Sequence, residues 1–244
     1  MSKTAIIIPC FNESKRLDIE NFSSFMKRNS QVDIYFYDDG SSDSTLNILI
    51  QLEKKFNNCF VLRNKINLGK AGTVRLGVQA ALKKEKYNYI GYFDADLSTP
   101  IEEVSKFINV FQNNTSLILV MGCRIKRSGA NIQRDNYRHY FSRVFVTLIN
   151  FYFDLNFYDT QAGAKLFKNK NIENIFKEKF LTKWLFDIEI LLRMKNLFNT
   201  SNINNHVYEL PLSTWIEKIG TKIKLVDIIS IPILLRRVKN FYNK

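Results

Sequence analysis

The stretch 88-NYIGYFDADLSTP-100 is an apolar run that ends in two carboxylates and is then stopped by a proline. Residues 88–93 have the length and bulk of a buried strand. In an extended segment residues i and i+2 point to the same side, so Asp94 and Asp96 share a face. Two carboxylates so placed repel each other unless a cation lies between them. The pair is therefore either a solvated strand end or a cation holder. Pro100 then sits at a first-turn position for a helix over 101–112.

This unit of strand, polar end and helix recurs. Residues 4–8 (TAIII) read as a buried strand stopped by Pro9, with a helix over 17–29. Residues 32–37 (VDIYFY) form a second strand ending in 38-DDGSSDST-45, where Ser41, Ser42 and Asp43 can cap a helix running to Lys55. Residues 59–62 (CFVL) are a third strand, and 67-NLGKAGTVRLG-77 is a Gly-rich loop opening a helix to Lys86. Residues 117–121 (LILVM) are a fifth strand. Strand and helix thus alternate every roughly 25–30 residues, the sign of an α/β fold with a mostly parallel central sheet and helices on both faces. Ligands of such sheets bind beyond the carboxyl ends of the strands. Asn12 and Glu13, Asp38 and Asp39, and Asp94 and Asp96 all fall at such ends. Independent surface charges need not line up in this way, so they are read as one composite site.

The second half is less regular. It contains a basic, aromatic helix over 134–153, small residues and then a strand in 159-DTQAGAKLF-167, and a helix over 182–197 with 184-WLFDIEI-190 in its first turns. A strand follows over 206–212. The tail 221–244 is an apolar stripe flanked by lysines and arginines, interrupted by Pro232. It reads as a membrane-surface element or as a helix packed on the domain. Cys10, Cys59 and Cys123 are far apart with no CxxC, which argues against a disulfide framework or zinc site and for a reducing compartment. Only His139 and His206 are present, which argues against a His-based metal site and a Ser-His-Asp hydrolase. The N-terminal apolar run is too short for a signal peptide, and no run reaches the about 18 uncharged apolar residues of a membrane span. The net charge of +13 fits either a Lys-rich solvated surface or an anionic partner. Nucleic acid is not the expected partner, because the acidic clusters would repel its phosphates.

The residue types narrow the chemistry. Asp94 and Asp96, as hard oxygen donors, suit Mg²⁺ or Mn²⁺, whose shells are commonly completed by substrate phosphates. Gly69 and Gly72 permit close approach of a backbone, and Lys70 places a cation near a helix N-terminus. Neither the GxxxxGK[ST] nor the GxGxxG spacing is present. Arg124, Arg127, Arg134, Arg138 and Arg143 are dense; arginine forks match phosphate oxygens, and the alternative is a solvated helix face, the preferred reading for Arg127 and Arg134. Asp187 and Glu189 lie at a helix start among large apolar residues. Either could be a general base, or simply complement the helix dipole.

In chain order, 9-PCFNES-14, 38-DDGSSDST-45, 67-NLGKAGTVRLG-77, 93-FDADLSTP-100, 122-GCRIKRSG-129, 159-DTQAGAKLF-167, 184-WLFDIEIL-191 and 215-WIEKIGTKIK-224 resemble the family 2 glycosyltransferases of GT-A fold. Within that family they are most similar to the polyprenyl-phosphate sugar transferases, the dolichyl-phosphate glucosyltransferases and mannosyltransferases. The resemblance implies that Pro9, Phe11, Asn12, Glu13, Asp39, Lys70, Asp94, Ala95 and Asp96 bind the nucleotide sugar. Asp94 and Asp96 would hold the Mg²⁺ or Mn²⁺ that bridges the diphosphate. Arg124, Arg143 and Lys222 would meet phosphates of donor or acceptor, and Asp187 would be the acidic catalytic position, with Glu189 a rival claimant. Ser98 and the DTQAGAKLF and WLFDIEIL segments resemble the glucosyl branch. Ala162 departs from it, standing where Cys or Ser is common.

What the resemblance implies is inverting transfer of a hexose, glucose from UDP-glucose, to a polyprenyl phosphate by an enzyme peripheral to the cytoplasmic face of a membrane. Two alternatives remain open: a glycan hydroxyl as acceptor, as in surface-polysaccharide synthesis, and GDP-mannose as donor. The expected organisation is a GT-A domain over 1–220 followed by a basic amphipathic tail over 221–244.

Overall fold

The computed structural model describes residues 3–170, 172–198, 203–218 and 225–242. The strands β1 (Thr4–Cys10), β2 (Val32–Asp38), β3 (Cys59–Arg63), β4 (Tyr89–Phe93), β5 (Leu119–Cys123), β7 (Ala164–Lys168) and β8 (Val207–Pro211) form one seven-stranded sheet in the order β3-β2-β1-β4-β7-β5-β8. A separate two-stranded ribbon pairs β6 (Asn131–Gln133) with β9 (Thr214–Ile216). The helices are α1 (Ile19–Arg28), α2 (Thr45–Lys55), α3 (Gly69–Leu82), α4 (Val104–Asn113), α5 (Asn136–Phe153), α6 (Ile172–Phe176), α7 (Phe186–Leu197) and α8 (Leu225–Tyr242).

β1 explains why the first half reads as unbroken apolar runs. Ala5 and Ile7 face one core cluster while Ile6 and Ile8 face another. A strand covered on both faces has no polar side to alternate with. The first cluster lies under α3, α5, α6, α7 and α8. The second lies under α1, α2 and α4, through Phe22, Phe25, Leu49, Leu52, Phe107 and Phe111.

Four strands, β3, β2, β1 and β4, pair in parallel, as expected. β7 is the exception. It runs antiparallel between β4 and β5, with Phe93 opposite Ala164 and Met121 opposite Lys165. Its N-terminal end therefore lies at the same sheet edge as the carboxyl ends of its parallel neighbours. The segment 159–163 is thereby delivered to the edge where Asp94 sits. The strand order reverses direction at β1 and β4, the place where open α/β sheets open a ligand crevice.

Three local readings shift. The expected helix over 101–112 begins with a 3₁₀ turn, Ile101–Glu103, before α4. α7 starts at Phe186 rather than at 182, so Asp187 lies in its first turn. β6 and β9 are three-residue strands, too short to show a period in sequence. For the tail, Leu235, Val238 and Tyr242 are buried in the first core cluster, so this part packs on the domain. Among the described residues, no helix is long and apolar enough to cross a membrane.

Candidate active site

β4 carries the centre of the site. Asp94 follows its last residue, and the Asp94 N–H donates to the carbonyl of Gly163 at 3.0 Å. A side chain at 163 would collide with Asp94, since an added Cβ would lie 1.8 Å from Oδ2. Glycine there makes a cradle that fits the carboxylate. Asp96 accepts the Ser98 N–H at 2.9 Å through Oδ1, and Leu97 between them has φ 52°, a left-handed turn that folds the acidic pair back on itself.

Lys70, in the first turn of α3, meets Asp94 Oδ1 at 2.5 Å. Its ammonium also lies 5.8 Å from the ring centre of Tyr92 and 5.9 Å from that of Phe186. Burial alone would depress this lysine, but Asp94, Asp187 and Asp96 outweigh it and raise its pKa. Asp94 is raised by desolvation and by Asp96, against the pull of Lys70.

Asp187 is fixed from two sides. Its Oδ1 accepts from the Tyr92 hydroxyl and from the Lys165 ammonium, the latter at 2.7 Å. Lys165, with no exposed surface, also donates to the carbonyls of Thr160 at 3.0 Å and Ala162 at 2.9 Å. Burial lowers the Lys165 pKa, with Asp187 pulling the other way. Tyr92 is raised well above its ordinary value, by burial first and then by the Asp187 charge.

The arginines of the cation side are paired within the chain. Arg124 forks onto Asp159, Nε to Oδ2 at 2.7 Å and Nη2 to Oδ1 at 2.7 Å, and stacks 5.2 Å from the Trp215 ring centre. Burial would lower Arg124, but Asp159 raises it. Burial would likewise raise Asp159, but Arg124 holds it down at about 2. Arg143 donates to the Tyr158 carbonyl at 2.7 Å and lies 3.8 Å over the Tyr158 ring. Both guanidiniums brace the 158–159 loop in this conformation rather than standing open to a phosphate. Lys222 lies outside the described residues.

The remaining expected residues divide. Pro9 and Phe11 are half-buried at the end of β1, and Ala95 is buried between the two aspartates. Asn12 takes a left-handed φ of 52° and accepts the Ser42 N–H at 2.9 Å, which ties the first loop to the second. Glu13 is buried and paired with Arg16 at 2.7 Å, so it holds the loop's shape. Asp39 is at the predicted edge, but its carboxylate accepts the Leu68 and Gly69 N–H groups, each at 2.8 Å, and so caps the start of α3. Asp38 beneath it faces Arg63 at 3.6 Å. Glu189 is held apart from these groups. It is fully buried and accepts from the Leu181 and Thr182 N–H groups, the Thr182 hydroxyl and the Tyr242 hydroxyl. It fastens the 181–182 loop and the end of α8, whereas Asp187, one turn-face away, points to Tyr92 and Lys165.

Sequence reasoning did not single out Tyr92, Lys165, Asp159, Gly163 or Trp215. A signal existed for two of them. Tyr92 stands two residues before Asp94 on the same strand face, and Lys165 is the one charged residue within 160-TQAGAKLF-167.

For a divalent ion, Asp94 and Asp96 are the donors present. Among the described residues, no group of three or more His, Cys, Asp or Glu side chains is placed to hold a metal. Two carboxylates fit an Mg²⁺ or Mn²⁺ ion that takes its remaining oxygens from phosphate and water, and do not fit a closed protein cage. The Gly163 cradle fixes one of these donors in place.

Residues 5–176 match the profile of glycosyl transferase family 2. A dolichyl-phosphate beta-glucosyltransferase of Saccharomyces cerevisiae is 29% identical over 241 residues, 91% of this chain and 69% of that protein. Another, from Trichomonas vaginalis, is 27% identical over 249 residues, 98% of this chain and 73% of that protein. Among solved structures, glucosyl-3-phosphoglycerate synthase from Mycobacterium tuberculosis, in complex with Mn²⁺, UDP-glucose and phosphoglyceric acid, superposes with a TM-score of 0.69. It is 12% identical, and the match covers 99% of this chain and 79% of that one. The fold is therefore GT-A, and the profile match over most of the chain makes this protein a glycosyltransferase of family 2.

Proposed function

We propose that the chain transfers glucose from UDP-glucose, with inversion, to the phosphate of a polyprenyl phosphate at the cytoplasmic face of a membrane. The single observation that carries the reading is the arrangement around Asp94. An acidic pair, a lysine and a fixed third carboxylate, Asp187, converge at the crevice between β1 and β4. The names of the similar proteins support the lipid acceptor, the glucosyl donor and a divalent metal.

Asp94 and Asp96 would hold the Mg²⁺ or Mn²⁺ ion. When bound, that ion neutralises the departing diphosphate as a Lewis acid. Lys70, already drawn to Asp94, keeps a fixed positive charge beside the donor while its reach is limited by the Tyr92 and Phe186 rings. The β1 and β2 loops, tied through Asn12 and Ser42, form the wall where the nucleotide lies. A phosphate monoester is largely ionised at neutral pH, so the acceptor oxygen needs no strong base. Asp187, with Oδ1 already taken by Tyr92 and Lys165, is suited to orient rather than to abstract. This favours a phosphate over a glycan hydroxyl as acceptor.

The test is transfer of radiolabelled glucose from UDP-glucose into an organic-soluble product, with a polyprenyl phosphate as acceptor and Mn²⁺ or Mg²⁺ present. Lipid-linked glucose is expected, and Asp96→Asn should lower the rate about a hundredfold or more. GDP-mannose outperforming UDP-glucose, or transfer to a soluble glycan alone, would overturn the assignment. Undiminished transfer by Asp96→Asn would overturn the metal site.

A further inference from the structure

α5 has two apolar faces, and only one of them is covered. Phe145, Ile149 and Phe153 are buried against the sheet and α8. On the opposite side stand Tyr137 (82% exposed), Phe141 (45%), Val144 (61%), Leu148 (55%) and Phe151 (89%), with Tyr140 (70%) beside them. These positions step by three or four residues, so they form one stripe along the whole helix rather than scattered surface residues. Six large apolar and aromatic side chains exposed side by side differ from the singly scattered hydrophobic residues that a monomer's surface ordinarily carries. The function proposed above makes no direct use of it.

We propose that this outer face of α5 is a docking surface for an anionic lipid bilayer, with the helix lying in the plane of the headgroup–acyl boundary. The inference rests on the lipid-acceptor reading and deepens it by naming the face that meets the membrane.

The charge pattern selects the occupant. The helix contains no Asp or Glu along its 18 residues. The exposed Arg127 precedes it in the chain, and α8, packed beside it with Lys239 4.2 Å from the Tyr152 ring centre, exposes Arg236 and Arg237. A second copy of the chain would bring this basic rim, on a molecule of net charge +13, against an identical one. An anionic headgroup layer complements it. Tyrosine is enriched at such boundaries, and phenylalanine and leucine line the apolar faces of helices that lie in them. α5 also reaches the site, since Arg143 from its middle turns clamps Tyr158, whose neighbour Asp159 holds Arg124. A membrane-bound α5 thus sets the distance between the lipid surface and the crevice.

The experiment is sedimentation of the full chain with vesicles of phosphatidylcholine alone and of phosphatidylcholine mixed with phosphatidylglycerol, both free of polyprenyl phosphate. The wild type is expected to bind the anionic vesicles, and more weakly as salt rises. The triple variant Tyr137→Ser, Val144→Ser, Phe151→Ser should lose about tenfold or more of that partitioning while keeping its melting temperature, because all three side chains are exposed. Equal binding by the variant, or no binding by the wild type, would overturn the proposal. So would a wild-type dimer in sedimentation velocity that the triple variant abolishes. A short, water-soluble prenyl phosphate assayed without vesicles separates the two ideas. The variant should glucosylate it at the wild-type rate. If neither protein does, the acceptor assignment fails while the vesicle result still decides the docking face.

Discussion

Lys165 has no exposed surface, and Asp187, its partner, is almost as deeply placed. Two charges taken out of water are tolerated only when each is paired and hydrogen-bonded, and here they are, through Tyr92 and the Thr160 and Ala162 carbonyls. Removing one member strands the other. Lys165→Met should therefore destabilise the protein by about 3 kcal/mol in urea unfolding, and the double variant Lys165→Met, Asp187→Asn should regain a large part of that. Losses that simply add would show that the two side chains do not stabilise each other. The reason this pair escaped the sequence reading is the distance along the chain. Asp187 lies 22 residues from Lys165 and 95 from Tyr92, so no local spacing announces the contact. Asp94 and Asp96 were legible because their relation is local, set by the two-residue period of an extended segment. Asp187 and Glu189 were not separable because they share one helix turn, and it is the 181–182 loop and α8, bonded to Glu189, that leave Asp187 as the one facing Tyr92 and Lys165.

At the scale of elements, the parallel half of the sheet was readable because β1, β2 and β4 are buried on both faces and a helix follows each strand in turn. The direction of β7 was not. Strand propensity is the same either way, and the direction comes from a pairing between residues about 75 apart in the chain; Gly91 permits the close approach of β7, since an added Cβ would come within 2.2 Å of the Lys165 carbonyl. That insertion carries the 159–163 loop to the site, and the loop's anchor is the Asp159–Arg124 pair. Its pH dependence follows from sign. Arg124 holds the folded-state pKa of Asp159 at about 2, below its unfolded value, so the pair's stabilisation is complete above that unfolded value. It is lost as pH falls toward about 2, and the depression is worth about 2 kcal/mol. Unfolding free energies measured at mildly acidic pH and then at progressively lower pH should decline more steeply for the wild type than for Asp159→Asn. Parallel curves would mean that the pair contributes nothing specific.

For the whole molecule, the question is whether the C-terminal segment belongs to the fold or hangs from it. Composition allowed both readings, because a helix with an apolar stripe and a basic face suits a core and a lipid surface equally. α8 resolves this by dividing its residues. Leu235, Val238 and Tyr242 enter the core, while Ile233, Arg236, Arg237 and Phe241 face outward. The Tyr242 hydroxyl lies between Glu189 and Arg193 at 2.9 and 2.8 Å, and its carbonyl accepts from Asn196 at 3.1 Å, so α7 and α8 are joined by polar contacts as well as apolar ones. A detached tail would tolerate a charge at position 238 without cost to the domain. A packed one cannot, because Val238 has no exposed surface and lies in the first core cluster, where a carboxylate would lose its water. Val238→Asp should therefore cost about 4 kcal/mol and lower the melting temperature by about 10 °C in a single transition. Because Glu189 also fastens the loop that leads into α7, the loss should extend to the placement of Asp187. Transfer activity at a temperature where the variant is still mostly folded should fall as well. A variant that melts and works like the wild type would return α8 to the status of an appendage.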